Sequence, residues 1–548
     1  MSRPHVAIRV EHAALFAAFT ALALYAAGLA NGFAYDDVVI IAGDPRIHSL
    51  TGIGELLTSG YWRDESLALY RPLTSLSFAL DWSIAPDTAA WFHLVNGTLH
   101  ALATALVTLL LARFFAPFAA LAGGLLFAVH PVHVEAVANV VGRAELLAAC
   151  GFLAAVLVWT HGTAEDRPPA LRRIGAPVLF AFAVFSKESA ITLPAVLLLI
   201  DGARGELRTG DRSSYARRNA VPFAILAIVA LGYLAARAAV VGGVGGPDRL
   251  DPSLEVLGGT GERVLTALQA WPVYAQLLFV PVTLLADYGP RVLGPATTLD
   301  AGVAFGGLLL AITVLGGLYA LRASRGTAAV AWLWFPITIL PVSNLLFPIG
   351  VLVAERTLYL PSVAICFLAA AVAATLAGRA QRPRMVALAV GAVVLALFAV
   401  RSAVRIPEWD STDRIMAALA RDRPDAFRGQ WHRARIARAQ GRDGEALALY
   451  GSAMELWPYR LGLVLETISQ ATRAGDLAYA DRLSSFAVER WPSNVDARRL
   501  LAAVRLDMGD TTAARLAVGE GLRVAPDDET LRRMAHAIGV RPHLDRAR

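Results

Sequence analysis

An all-α protein in two parts, a polytopic membrane domain followed by a soluble helical solenoid, is what this 548-residue sequence predicts, on three observations. Uncharged apolar runs recur between Ala13 and Val400, and at about 1.5 Å per residue the longer ones approach the ~30 Å hydrocarbon core of a bilayer. After Arg405 the composition turns soluble, rich in Arg, Asp and Glu with scattered Ala and Leu. Within that part Pro424, Pro458, Pro492 and Pro526 are each 34 residues apart, and Gly441, Gly475 and Gly509, like Ala446, Ala480 and Ala514, keep the same step. A 34-residue period with small residues where helices cross and Pro at the repeat end is the tetratricopeptide signature, and such repeats stack into a solenoid with a concave binding face.

Composition sets the class. With 56% hydrophobic and only 17% charged residues, the chain is too apolar for an ordinary soluble protein. The net charge of +6 comes mostly from arginine, and in a membrane protein its distribution among loops matters more than its sum; nucleic acid is not implied. Cys150 and Cys366 both fall inside apolar runs, so neither a disulfide framework nor a cysteine metal site is supported.

The first run, 13–28, follows Arg3 and Arg9 as a signal peptide would. No small-residue cleavage site follows and the run is long, so it reads as a retained anchor. At its exit stands Phe33-Ala34-Tyr35-Asp36-Asp37, opening a loop over 32–90 whose Tyr61, Trp62, Trp82 and Trp91 suit a membrane interface. Further runs follow at 94–111, 116–129, 146–159, 176–185, 190–200, 220–241, 265–285, 301–321, 328–340, 358–376 and 386–400.

Arginine-rich loops fall on one face by the positive-inside rule: Arg3 and Arg9, Arg113, Arg167 with Arg172 and Arg173, Arg204 to Arg218, Arg322 and Arg325, then Arg379 to Arg384. The alternation holds only if 265–285, interrupted by Pro272 and Pro281, does not cross. Eleven crossings result. They predict a multi-pass protein of the cytoplasmic (inner) membrane, its N-terminus cytoplasmic, and the Asp36-Asp37 loop and everything after Arg401 exoplasmic or periplasmic. The expected boundaries are 1–404 for the membrane domain, 405–424 for a linker helix, 425–526 for three repeats and 527–548 for a cap and tail.

On the outer face this topology collects Asp36-Asp37, Tyr70-Arg71-Pro72, His130-Pro131-Val132-His133-Val134-Glu135 with Arg143 and Glu145, Lys187-Glu188, and Glu355-Arg356-Thr357-Leu358-Tyr359. Taken singly, each has a structural reading: Lys187-Glu188 as a self-neutralising pair, Glu355-Arg356 as a helix-end salt bridge. Together, ionisable residues at membrane depth point to a functional site. His130, His133 and Glu135 do not have the spacing of the zinc-protease helix motif, and neither a phosphate-cradling glycine loop nor a nucleophile motif is present.

Arg71, Arg143, Lys187 and Arg356 suit a lipid-borne phosphate, because guanidinium and ammonium groups make charge-assisted bonds to its oxygens. A carboxylate beside them suits deprotonation of an incoming hydroxyl. Asp37 is the expected base, Asp36 its partner in orienting the acceptor, and Glu135 the alternative base. His130, His133, Glu145, Glu188, Glu355 and Tyr359 are expected to support them. If a metal is used, Asp36 and Asp37 would hold Mg²⁺ or Mn²⁺ against the phosphate; a carboxylate base needs none.

Tyr35-Asp36-Asp37, Tyr70-Arg71-Pro72-Leu73-Thr74, Phe92-His93 with Asn96 and His100, the His130–Glu135 block, Val141-Gly142-Arg143-Ala144-Glu145, Ser186-Lys187-Glu188, and Leu340-Pro341-Val342-Ser343-Asn344 with Ala354-Glu355-Arg356-Thr357-Leu358-Tyr359-Leu360-Pro361-Ser362 stand in an order that resembles the transmembrane and tetratricopeptide-repeat-containing O-mannosyltransferases. The resemblance implies a GT-C glycosyltransferase fold with an acidic motif in its first exoplasmic loop, matched by Asp36-Asp37. It also implies a polyprenyl-phosphate-linked mannose donor, Ser/Thr acceptors on exported proteins engaged by the repeats, and inversion at the anomeric carbon. Only three repeats are clear here, and the Ala- and Arg-rich composition points to a bacterial member. The competing readings are a lipid- or glycan-modifying GT-C transferase and a membrane-anchored repeat scaffold. A bare anchor has no use for Asp36, Asp37, Arg71, Glu135, Arg143 and Arg356 on one face.

Overall fold

The computed structural model describes residues 9–63, 69–161, 171–207, 212–243 and 252–539. Arg3, Arg167 and Arg208, invoked above for cytoplasmic loops, and the end of the tail from 540 lie outside the described residues. The chain divides into two compact units, Met1–Tyr288 with Leu293–Ile415, and Gly289–Val292 with Met416–Arg548. Every regular element among the described residues is helical.

Among the described residues of the first unit six helices are long and apolar enough to cross a membrane: Val10–Ala30, Ala89–Leu111, Val140–Trp159, Ser213–Val241, Ala301–Arg322 and Gln381–Asp410. A bent pair, Pro117–Val129 with Pro131–Ala138 at 48°, makes a seventh if it is one span, and Gly326–Val342 and Val363–Ala377 are shorter apolar helices. The eleven expected crossings exceed this number because several apolar runs fold short. The runs at 176–185 and 190–200 become Ala176–Ser186 and Leu193–Ala203, 11 residues each. Each is therefore about 16 Å long, roughly half of the hydrocarbon core. The run at 265–285 becomes Thr260–Phe279, with Glu262 in its first turn and Pro272 inside it.

Helices stop where the polar motifs begin. Pro131 has no N–H to continue a helix, and His130 ahead of it is extended (φ −66°, ψ 125°). Backbone freed from a helix at membrane depth must be satisfied by protein or face a cavity; here the His130 Nδ1 accepts from the Val132 N–H at 3.2 Å. Close approach of neighbouring helices is bought by glycine: a Cβ at Gly123 would strike the Cys366 carbonyl, and one at Gly124 the Thr108 side chain.

The second unit contains three helix pairs, Phe427–Ala439 with Asp443–Leu456, Leu461–Ala474 with Leu477–Arg490, and Val495–Asp507 with Thr511–Val524, followed by Glu529–Ala537. Their period has a geometric cause. Gly441, Gly475 and Gly509 turn the chain inside each pair at φ 72°, 82° and 77°, a left-handed region that favours glycine. Ala446, Ala480 and Ala514 are fully buried on the second helix of each pair, where a larger side chain would hold the helices apart. The division between units falls at 415/416, inside the helix Thr412–Asp422, not at the expected 404/405.

Candidate active site

The helix breaks of the first unit meet around a cavity of about 570 Å³. Its charged wall is Asp36, Arg71, Glu145, Lys187, Glu188, Arg237 and Arg356; its apolar wall includes Ile40, Val141, Ile191, Leu340, Val342 and Phe347. Arg71 immediately precedes the helix Pro72–Ile84, Glu145 lies in the first turn of Arg143–Trp159, and Lys187-Glu188 join the two 11-residue helices.

Three ion pairs organise the charged wall. Arg71 donates through Nε and Nη2 to the two oxygens of Glu188, at 2.9 and 2.6 Å. That leaves Nη1 with two hydrogens for a ligand. Burial pushes the Glu188 carboxyl up, but Arg71 and then Lys187 outweigh it and hold the group well below the usual carboxylate range. Lys187 pairs with Glu145, and both are buried. Arg356 donates its backbone N–H to Glu135 Oε2 at 2.9 Å and its Nη1 to Oε1 at 2.7 Å, and the same Nη1 lies 3.8 Å from Asp36.

The two neighbouring aspartates have opposite surroundings. Tyr35 is left-handed (φ 55°), an uncommon state for a residue with a side chain, and it reverses the chain just before them. Asp37 is fully buried and accepts three backbone N–H bonds: Val141 on Oδ1 at 2.8 Å, Val140 and Ala34 on Oδ2 at 3.1 and 3.3 Å. Burial pushes its carboxyl up to about 7; the three N–H groups oppose this and the Asp36 charge adds to it. Asp36 keeps a fifth of its side chain exposed and lines the cavity, which Asp37 does not.

The curated proteins similar to this chain include several protein O-mannosyl-transferases. Protein O-mannosyl-transferase TMTC3 of Homo sapiens is 29% identical over 383 residues, 64% of this chain and 41% of that protein. Protein O-mannosyl-transferase F38B6.6 of Caenorhabditis elegans is 30% identical over 359 residues, 63% of this chain and 49% of its own. Protein O-mannosyl-transferase TMTC1 of Homo sapiens is 27% identical over 502 residues, 84% of this chain and 57% of its own. The chain is similar to the TMTC protein O-mannosyl-transferases. It spans about half the length of these curated relatives. No family model matches it. The crystal structure of the P58(IPK) TPR domain aligns with 67% of this chain at 14% identity and a TM-score of 0.22, too low to inform the fold.

The residues picked out by the TMTC resemblance divide into cavity groups and wall groups. Asp37, expected as the base, has no solvent-facing oxygen, because both are turned onto backbone N–H groups. Arg143, expected on the phosphate, is fully buried away from the cavity. It pairs with Asp81, donates to Asn96 Oδ1 at 2.8 Å and to the Phe92 carbonyl at 3.1 Å, and lies over the rings of Phe78 and Phe92 at 4.8 and 5.5 Å. Its donors are committed to holding helices together.

Glu135 is likewise engaged on both oxygens by Arg356. His130 donates through Nε2 to the Leu278 carbonyl at 3.0 Å, and His133 sits between the Phe127 carbonyl and the Ser362 hydroxyl at 2.9 and 2.8 Å. Glu355 Oε1 accepts from the Leu285 N–H and the Tyr288 hydroxyl at 2.5 and 2.9 Å. The Tyr359 hydroxyl donates to His100 Nδ1 at 2.7 Å, since His100 Nε2 donates to the Ala128 carbonyl at 3.2 Å. These groups shape the TMTC-like motifs without lining the cavity.

Sequence reasoning missed Arg237 and Tyr233, which share the cavity wall one helical turn apart. The available signal was a lone arginine near the end of the otherwise apolar run 220–241. No group of three His, Cys, Asp or Glu side chains among the described residues is arranged to hold a metal. Asp36 and Asp37 do not fit a shared cation, because Asp37 already accepts three N–H bonds away from the cavity.

Proposed function

We propose that this chain is a membrane glycosyltransferase that moves mannose from a polyprenyl phosphate to Ser/Thr hydroxyls of exported proteins, with inversion, while the repeats engage the acceptor. The observation that carries the reading is a carboxylate that faces the cavity, Asp36, beside two guanidinium groups with hydrogens left over, Arg71 and Arg356, in a cavity whose other wall is apolar. The same reading places the chain in the cytoplasmic membrane, with the cavity and the repeats exoplasmic.

In this mechanism Arg71 and Arg356 hold the donor phosphate by charge-assisted hydrogen bonds, and the apolar wall receives the first isoprene units. The acceptor oxygen attacks the anomeric carbon from the face opposite the phosphate. The bond from that carbon to the phosphate oxygen breaks, and its electron pair leaves on the lipid phosphate, already a stable anion that needs no acid. The acceptor proton passes to Asp36, which replaces Asp37 as the proposed base because its carboxylate faces the cavity. Proton transfer of this kind is worth about 10²–10⁴ in rate.

The test is glycoproteomics of a strain lacking the gene, complemented with the wild-type chain or with Asp36→Asn. Hexose missing from particular exported proteins, restored by wild type and not by the variant, supports the reading. An unchanged exported glycoproteome removes it in favour of the anchored scaffold.

A further inference from the structure

Within the last long apolar stretch, Gln381–Asp410, the α-helix ends at Arg405 and a 3-10 turn, Ile406–Asp410, follows it inside the first unit. Residues 406–412 return to the segment that carries the aspartates. Asn31 Nδ2 donates to the Ile406 carbonyl at 2.9 Å. The Gly32 N–H donates to the Asp410 carbonyl at 3.1 Å and reaches its Oδ1 at 3.3 Å. The Tyr35 N–H donates to Thr412 Oγ1 at 2.8 Å. The approach is close, since a Cβ at Gly32 would stand 3.0 Å from the Asp410 carbonyl. Ile406 and Trp409 are fully buried and fix the returning segment in the unit.

We propose that residues 406–412 form a strut for the aspartate turn, and that Thr412 is a positioning residue for Asp36. The inference rests on the Asp36 reading above for its kinetic consequence and on the contacts alone for its structural one. Tyr35 is the strained residue of the turn, and a left-handed conformation of this kind persists only where the surroundings over-determine it.

Two restraints act on that turn. Asp37 ties its far side to the Val140 and Val141 N–H groups, and the Thr412 hydroxyl ties the N–H of Tyr35 itself. Asp36 lies between the two ties, so its carboxylate is held beside Arg356 only while both are made. Thr412 has no capping duty to explain it: Ser411 Oγ accepts the Arg414 N–H at 3.3 Å and caps the helix that Thr412 opens. Loss of the Thr412 hydroxyl leaves Tyr35 free to relax and Asp36 free to swing, with the rest of the cavity wall untouched.

The experiment uses the full-length chain in detergent or nanodiscs as wild type, Thr412→Val, Thr412→Ser and Asp36→Asn. Mannosyl-phosphoryl-polyprenol is the donor and a Ser/Thr-containing peptide the acceptor. Valine keeps the shape of threonine without the hydroxyl, and serine keeps the hydroxyl. Thr412→Val is expected to lower kcat about tenfold, the equivalent of one lost hydrogen bond, with the donor KM unchanged, and Thr412→Ser to restore it.

Hydrogen exchange gives a readout independent of catalysis. The peptide covering residues 31–38 is expected to exchange faster in Thr412→Val than in wild type, Thr412→Ser or Asp36→Asn. Native exchange of that peptide in Thr412→Val overturns the strut, and so does faster exchange spread evenly over the membrane unit. If the wild-type chain transfers no mannose, the proposed function fails while the exchange arm still decides the strut. If Asp36→Asn alone loses turnover and Thr412→Val keeps it, the base stands and its positioning by Thr412 does not.

Discussion

The two ends of one helix pair carry the same kinds of charge and do opposite things. Ala176–Ser186 and Leu193–Ala203 are joined through Lys187-Glu188, which open onto the cavity, Lys187 paired with Glu145 and Glu188 with Arg71, which has hydrogens to give. About 16 Å away, at the other end, Asp201 is fully buried. It accepts from Trp159 Nε1 on both oxygens at 3.0 Å, from Arg172 Nη2 at 3.1 Å and from the Tyr215 hydroxyl at 2.7 Å. The Arg172 guanidinium also lies 4.1 Å over the Trp159 ring. A charge at membrane depth is therefore not enough to mark a site. The useful distinction is whether the carboxylate faces a void and whether its cation has donors left, as with Arg71, or whether the group is enclosed by its partners, as with Asp201 and Arg143.

The largest test of that distinction is Asp36→Asn, expected to keep donor binding and lower turnover by about 10²–10⁴. Near-native turnover would break the comparison at its functional end. At the enclosed end, Asp201→Ala strands the buried Arg172 and should cost about 3–5 kcal/mol of stability, read as early thermal unfolding in detergent, with turnover per folded molecule close to native. A selective loss of turnover there would move Asp201 among the functional groups.

Arg71→Ala and Arg356→Ala should each weaken donor binding by about one to two decades, the worth of a charge-assisted bond, while Arg143→Ala should act on folding without a selective effect on donor affinity. Equal donor affinities in wild type and all three variants would remove the phosphate assignment.

The smallest effects are in pH. Glu188 is held below its unfolded value, so its contribution is present above the ordinary glutamate range and lost as pH falls. Asp37 is raised to about 7, so its contribution is present below the ordinary aspartate range and lost as pH rises through 7. The melting-temperature difference between wild type and Glu188→Gln should shrink in acid, and that between wild type and Asp37→Asn should shrink from about pH 4 to 7. Parallel curves for the two variants would contradict these opposite signs.

The repeat unit was the most legible part of the sequence, because left-handed turns and close helix packing demand Gly and Ala at a fixed step, and composition recorded that demand. The motifs around the cavity were legible as a group, since polar residues interrupting apolar runs must be satisfied or functional. Their division of labour was not. Asp36 and Asp37 are chemically identical neighbours, and only the left-handed Tyr35 and the N–H groups of residues 140 and 141 tell them apart. Arg143 looked like a ligand because Asp81 and Asn96, which absorb it, are distant in the chain. The crossing count was hard to read because half-length helices have the apolar signal of full ones over a shorter stretch.

The bonds between residues 31–35 and 406–412 also set an order of events in biosynthesis. Their partners are 375 to 378 residues apart, so the aspartate turn is translated long before the segment that braces it exists. At about 5–20 residues per second the delay is roughly 20–75 s, in which a nascent chain has its aspartates and Arg71 but an unbraced Tyr35. The Asp36 carboxylate is set only once the last long apolar helix has been inserted, and a chain cut at residue 404 would remain permanently at that unfinished stage.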